Sequence, residues 1–280
     1  MRLISYRSAR GERAGVLRGG GIVDAGDVLG RGPATLRALL EAGALAELAR
    51  LAERADPSID VAGVELLPPI ADPEKIVCIG LNYRAHAAEA GIEPPSVPTF
   101  FAKFANALVP DGATVPLPAA SSKVDFEAEV AFVIGRRASD VGVAEALAHV
   151  AGYTLLNDLS ARDLQFATPQ WIPGKVFDGS APCGPALVTA DEIEDPSAIG
   201  VALDLNGTRM QEATTADLIF GVAELVAHLS KLMTLMPGDI VSTGTPAGVG
   251  STREPKVWLA PGDELLVSSP ELGELRTTIG

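Results

Sequence analysis

Residues 125–129, Asp-Phe-Glu-Ala-Glu, run directly into the apolar stretch 130–134. In a strand, positions two apart project to one face, so Glu127 and Glu129 point the same way. Two carboxylates held side by side repel each other unless a cation sits between them. The pair would equally suit a solvated strand face, but beside an apolar run unpaired carboxylates are costly. A second apolar run, 153–157, ends in Asn157 and continues Asp158-Leu-Ser160-Ala-Arg162-Asp163. Ser160 and Asp163 fit a helix N-cap with a surface Arg–Asp pair. Asp158 could instead bring a third carboxylate to Glu127 and Glu129. Three carboxylates form a hard oxygen site suited to Mg²⁺, Mn²⁺ or Ca²⁺, with positions left open for substrate.

A third cluster is Gly80-Leu-Asn-Tyr-Arg-Ala-His86-Ala-Ala-Glu89. On a short helix His86 and Glu89 stand at i and i+3, close enough to pair. A carboxylate beside an imidazole fixes its tautomer and raises its basicity, as a general base requires. A lone histidine is just as readily structural, and His149 and His228 are read that way. Residues 171–178 present Lys175 between a glycine and apolar residues, and residues 243–250 offer backbone N–H groups and hydroxyls that could hold a carboxylate. Either stretch taken alone is an ordinary turn.

Other chemistries are excluded. There is no G-x-G-x-x-G after a strand, no phosphate-cradling P-loop around Gly174-Lys175 and no G-x-S-x-G elbow; the three histidines cannot form H-E-x-x-H. The 22 basic and 36 acidic residues leave a net charge of -14, against the basic face that nucleic acid or an anionic membrane demands. Mean hydropathy is +0.25, yet no stretch nears the 18 apolar residues of a spanning helix. The first residues lack the apolar core of a signal peptide, and Cys78 and Cys183 have no metal or redox spacing. We therefore expect a cytoplasmic protein with buried free thiols.

These residues need a scaffold, and 280 residues with 47% hydrophobic content suffice for one large domain or two unequal ones. Short strands are expected near 3–6 and 14–17, and the leucine stripe predicts one helix over 35–54. The proline-rich stretch 67–73 marks a boundary between a small N-terminal unit (1–70) and a larger one (71–280). The latter should hold strands at 75–79, 100–104, 128–134, 151–157, 186–189, 201–205, 239–242 and 264–267, with helices over 143–149 and 216–233. The pattern is α+β and strand-rich.

Taken in order, IGLNYRAHAAE, FFAK, DFEAEVAFVIG, NDLSARDLQ, WIPGKVFDGSAPCGP, LNGTRMQ and MTLMPGDIVSTGTPAGVG resemble the fumarylacetoacetate hydrolase family, in its compact bacterial form. The resemblance runs from about Lys75 to Gly280 and implies a mixed β-roll catalytic domain, preceded by a small α/β domain. It also implies a homodimer, with Mg²⁺ or Mn²⁺ on Glu127, Glu129 and Asp158. By the same resemblance His86 and Glu89 would be the water-activating dyad on a mobile lid, and Lys175 would stabilise an oxyanion or enolate. Gln165, Thr245, Tyr83 and Arg162 would contact substrate. Many acylpyruvate-cleaving and decarboxylase-type members carry arginine at the position of Leu81, which bears on the distal group of the substrate.

The resemblance implies a small 2-oxo acid substrate and neither nucleic acid nor membrane as partner. The expected activity is hydrolysis of a C–C bond in a 2,4-dioxo acid, of acylpyruvate type or sugar-derived. The alternatives on the same site are oxaloacetate decarboxylation and isomerisation of a 2-hydroxymuconate-like diene acid.

Overall fold

The structure is a computed structural model that describes residues 1–32 and 34–280. Strand Ala128–Ile134 lies at its centre, with all seven residues buried. Val130, Phe132 and Ile134 face one core, which includes Leu225 and Leu229 of helix Val222–Leu232. Ala131 and Val133 face another, with Leu3, Leu36, Leu48 and Leu156. A strand covered on both sides needs apolar residues at successive positions rather than alternation, and 130–134 supplies them.

This strand belongs to a twelve-stranded sheet. On one side it pairs antiparallel with Val150–Asn157, in a register that sets Ala128 opposite Asn157, and that strand pairs with Ala181–Thr189. On the other side it pairs antiparallel with Ile240–Ser242, which runs parallel to Ile76–Gly80; Thr99–Lys103 follows. Strand Arg2–Ser8 continues the sheet beyond Ala181–Thr189, through Arg2 opposite Val188, and Gly11–Arg18 and Gly21–Asp24 come next. A second sheet of five strands contributes Leu203, Val267 and Leu275 to the core beneath Val130 and Phe132. The architecture is the strand-rich α+β class expected. No helix among the described residues is long and apolar enough to cross a membrane.

Two expected helices differ. The stripe over 35–54 forms two helices, Leu36–Glu41 and Leu45–Ala52. Gly43 at φ +62° turns the chain between them, and the Ala44 N–H caps back onto Leu39. The helix expected over 216–233 begins only at Val222. The preceding residues are drawn away, because Ile219 and Phe220 donate their N–H groups to Asn82.

Strand direction prepares the site. The start of Ala128–Ile134 and the ends of Val150–Asn157, Ile240–Ser242 and Ile76–Gly80 meet along one rim of the sheet. The approach of Val150–Asn157 to Ala181–Thr189 depends on Gly152, where a Cβ would strike the Val188 carbonyl oxygen. Gly152→Ala should therefore cost on the order of 3 kcal/mol and lower Tm by roughly 6–10 °C, measured by thermal unfolding. An unchanged Tm would mean that the strands do not pass so closely.

Candidate metal centre and catalytic site

The chain turns at both ends of the Ala128/Asn157 pair, and a short second ladder, Val124–Asp125 with Ser160–Ala161, resumes beyond the turn. Glu127 and Asp158 fall in the gap, joined by an N–H···O bond of 2.9 Å from Asp158 to Glu127. Glu129 sits one pleat further on. Carboxylate oxygens of Glu127, Glu129 and Asp158 all lie within 4.8 Å of one another, and all three residues are buried.

Cations surround this cluster unevenly. Arg162 reaches one Glu127 oxygen at 2.6 Å and Asp125 at 2.9 Å, and Lys175 Nζ reaches the other Glu127 oxygen at 2.7 Å. Burial opposes the Glu127 charge, but Arg162 and Lys175 outweigh it and hold this carboxyl down at about 2. Lys103 donates to Asp158 at 2.7 Å. Lys175 gives its remaining N–H bonds to Asp158 at 2.8 Å and Ser160 at 2.6 Å. Burial alone would lower the Lys175 ammonium; Asp158 and Glu127 raise it above its ordinary value.

Glu129 has no cation partner among the described residues. Its oxygen accepts from the Ser242 hydroxyl and, at 2.9 Å, from the Gly244 N–H. Burial, with the charges of Asp158 and Glu127 added, pushes its carboxyl up to about 8. Asp125, Glu127, Glu129 and Asp158 thus number one more than Lys103, Arg162 and Lys175, and Glu129 is the carboxyl left without a cation. Oxygen-only donors, one carboxyl without a cation partner and mutual approach within 4.8 Å fit a divalent cation on Glu127, Glu129 and Asp158.

His86 and Glu89 lie on helix Arg84–Glu89, joined by a 2.9 Å bond from Nδ1 to Oε1. The Gly248 N–H donates to both Glu89 oxygens, at 3.0 and 3.1 Å. Burial opposes the Glu89 charge, but the bonds from His86 and Gly248 keep its carboxyl below the usual range. With Nδ1–H given to Glu89, His86 Nε2 is left as an acceptor. The helix is anchored at its start by Asn82, whose amide donates to the carbonyls of Thr243 and Phe220 at 2.8 and 3.1 Å.

His86, Glu127, Glu129, Arg162, Gln165, Lys175 and Thr245 all line one cavity of about 610 Å³. Gln165 accepts from Arg162 at 2.9 Å, and the Thr245 hydroxyl donates to the Ala128 carbonyl at 3.0 Å. Lys175 arrives there because the turn Ile172–Gly174 packs against Ala161 and Gln165 so closely that only glycine fits at 174. Asp158 and Glu89 stand behind the wall, as partners of lining residues. Tyr83 is buried outside the wall, and the Arg162 guanidinium is given to Asp125, Glu127 and Gln165.

Three participants had no assigned role in the sequence. Lys103 ends an apolar strand, a position that could have flagged it. Asp125 opens the Glu127 motif and also accepts from the Gly250 and Ser251 N–H groups. Gln211 accepts from the Ala128 N–H at 2.9 Å and donates to Thr245 at 2.8 Å, tying the 243–250 loop to the carboxylate strand.

The shifts predict a pH signature. The ordinary value for Glu129 is 4.5, and a folded value near 8 favours the protonated form. Its contribution to stability is therefore complete below pH 4.5 and is lost as pH rises through about 8. Glu127 acts oppositely and below that window, losing its contribution as pH falls from 4.5 toward 2. Chelator-treated protein should melt lower at pH 8.5 than at pH 6, and Mg²⁺ should narrow the gap. Glu129→Gln should flatten this part of the profile; an unchanged profile would show that Glu129 is not the titrating group.

Residues 75–280 match the family described as Fumarylacetoacetate (FAA) hydrolase C-terminal. The chain is 39% identical, over 98% of its length and 90% of the relative's, to Oxaloacetate tautomerase FAHD2B, mitochondrial, of Bos taurus. It superposes with a TM-score of 0.84 and 30% identity on a fumarylacetoacetate hydrolase from Exiguobacterium antarcticum, covering 100% of this chain and 99% of that one. A 5-carboxymethyl-2-hydroxymuconate delta-isomerase from Mycobacterium smegmatis gives 0.79 and 32%, covering 100% and 98%. With the motif order, the carboxylate cluster and the fold in agreement, the chain belongs to the fumarylacetoacetate hydrolase family.

Proposed function

We propose that this protein interconverts the keto and enol forms of a 2-oxo acid of the oxaloacetate class, with a divalent cation, Mg²⁺ or Mn²⁺, on Glu127, Glu129 and Asp158. The observation that carries this reading is the His86–Glu89 pair, its imidazole on the same cavity wall as Glu127 and Glu129: one proton carrier, oriented by a fixed carboxylate behind it. The likeness to an oxaloacetate tautomerase over nearly the whole chain supports it. When bound, the cation would supply the positive charge that favours enolate character at the 2-oxo group.

The protein's own residues account for the rest. His86 Nε2 takes the proton from C3 of the keto acid, and the proton is returned at the 2-oxygen to give the enol. Glu89 holds the tautomer of His86 and stabilises the imidazolium between the two transfers. Lys175 and Arg162 keep Glu127 ionised at neutral pH, and Lys103 and Lys175 hold the Asp158 carboxylate in place beside it. The apolar wall of Phe101 and Trp171 excludes water from the enolate.

A second reading is C–C hydrolysis of an acylpyruvate, with the same dyad taking its proton from water. The likeness to a fumarylacetoacetate hydrolase favours it. It needs a further donor for the tetrahedral oxygen, and the three N–H bonds of Lys175 already go to Glu127, Asp158 and Ser160. That full commitment supports tautomerisation as the first reading.

The test is the decay of enol-oxaloacetate absorbance, run beside pyruvate release from acetylpyruvate and from oxaloacetate, with and without EDTA. Chelator-sensitive ketonisation without pyruvate release is the expected result. Pyruvate from acetylpyruvate would instead establish the hydrolase, and pyruvate from oxaloacetate alone a decarboxylase. His86→Ala should lower kcat/KM for ketonisation by roughly 10²–10³-fold, and Glu89→Gln by about tenfold. Full activity of the His86 variant would remove the dyad from the mechanism.

A further inference from the structure

The loop over residues 243–250 serves both halves of the site, and strand Thr208–Thr214 of the second sheet holds it in two places. At the carboxylate end, where the Gly244 N–H meets Glu129, Gln211 donates to the Thr245 hydroxyl and the Pro246 carbonyl, each at 2.8 Å. At the other end, where the Gly248 N–H meets Glu89, the hold is made by Arg253. Its Nε donates to the Gly248 carbonyl at 3.0 Å and its guanidinium NH₂ to the Met210 carbonyl at 2.6 Å. The strand is shaped for this contact. Its register with Gly200–Leu205 passes from Leu203 opposite Gln211 to Asp204 opposite Arg209, so Met210 is an extra, bulged residue outside the ladder. The Met210 carbonyl oxygen comes so near the loop that a Cβ on Gly248 would overlap it. A guanidinium is planar, with donors in fixed directions, and can bridge two such carbonyls; an ammonium on a flexible stem fixes them less well.

Arg253 itself stands outside the cavity wall, and both of its bonds run to main-chain carbonyls. We propose that Arg253 is a positioning residue for proton transfer: it fixes Gly248, Gly248 fixes the Glu89 carboxylate, and Glu89 fixes the tautomer of His86. The inference deepens the reading of the site given above and rests on it for the reaction whose rate is followed; the chain of contacts does not depend on the substrate. Gln211 anchors the carboxylate end of the loop independently. Loss of Arg253 should therefore loosen the His86–Glu89 pair while sparing Glu127, Glu129 and Asp158, a split that general loosening of the fold would not give.

The chain has three histidines, so ¹⁵N-histidine labelling gives three imidazole signal sets, and His86 is identified by its loss in His86→Gln. Spectra of the full-length protein are recorded at about pH 8, where imidazole is ordinarily neutral. The unsubstituted protein should show a single His86 tautomer, with the proton on Nδ1. In Arg253→Met the signals should move toward the average of the two tautomers, and Arg253→Lys should fall between. In the same variant kcat for ketonisation should drop roughly three- to tenfold, bounded by the loss in Glu89→Gln, through which Arg253 acts. KM, and Mg²⁺ affinity measured by calorimetry, should stay unchanged. Glu89→Gln/Arg253→Met should be no slower than Glu89→Gln alone. A single His86 tautomer retained in Arg253→Met, losses that multiply in the double variant, or Mg²⁺ affinity that falls together with kcat would overturn the proposal. The tautomer is read without turnover, so its dependence on Arg253 in a protein that fails to ketonise enol-oxaloacetate would sink the tautomerase reading alone.

Discussion

Asp125, Glu127, Glu129 and Asp158 are each no more than 5% exposed, and an ionised carboxylate so far from water must be matched by positive charge or hydrogen-bond donors. Most of what surrounds the site answers that demand. Lys103, Arg162 and Lys175 are themselves buried and would be costly alone; each is there because a carboxylate awaits it. Backbone N–H groups of Gly244, Gly250 and Ser251 complete the shell, which explains why a loop of small residues, with glycine at φ +99° at position 244, crosses this rim. The one carboxyl left without a cation is Glu129, and that imbalance is what makes the buried network suited to a divalent cation.

The sheet does the assembling. Glu127 and Asp158 are brought opposite each other by a register that begins at Ala128 and Asn157, and Glu129 meets Ser242 across the neighbouring pair of strands. The helix carrying His86 and Glu89 hangs from the end of Ile76–Gly80 and is pinned through Asn82 to the same glycine-rich loop that holds Glu89. The three carboxylates and the His86–Glu89 pair thus share the rigid core as a common reference. A site whose members must stay within a few ångströms of one another requires that.

Much of this was legible in the sequence where the rule is local. The i, i+2 spacing of Glu127 and Glu129 and the i, i+3 spacing of His86 and Glu89 are short-range statements, and both pairs face the cavity or back onto its wall as their spacing implies. The union of Glu127, Glu129 and Asp158 was only one option from the residues, and the family resemblance selected it. Lys103 and Gln211 lie 55 and 83 residues from their partners, and no periodicity links such positions. Arg162 shows a different limit. Its motif suggested substrate, whereas its nearest partners are carboxylates that the sequence could not place around it. The broken leucine helix failed for a third reason: Leu39, Leu40 and Leu48 keep one apolar stripe across Gly43, so hydrophobic spacing alone does not register the turn.

The N-terminal strands carry one further meaning. Strand Arg2–Ser8 pairs with the Leu187–Val188 end of Ala181–Thr189, on the side away from Val150–Asn157, so the hydrogen-bonding groups of that end are spent inside the molecule. A chain lacking these strands would offer a bare, mostly buried-type ribbon to any neighbour, an invitation to edge-to-edge aggregation. The opening residues thus act as a bandage on this edge of the sheet.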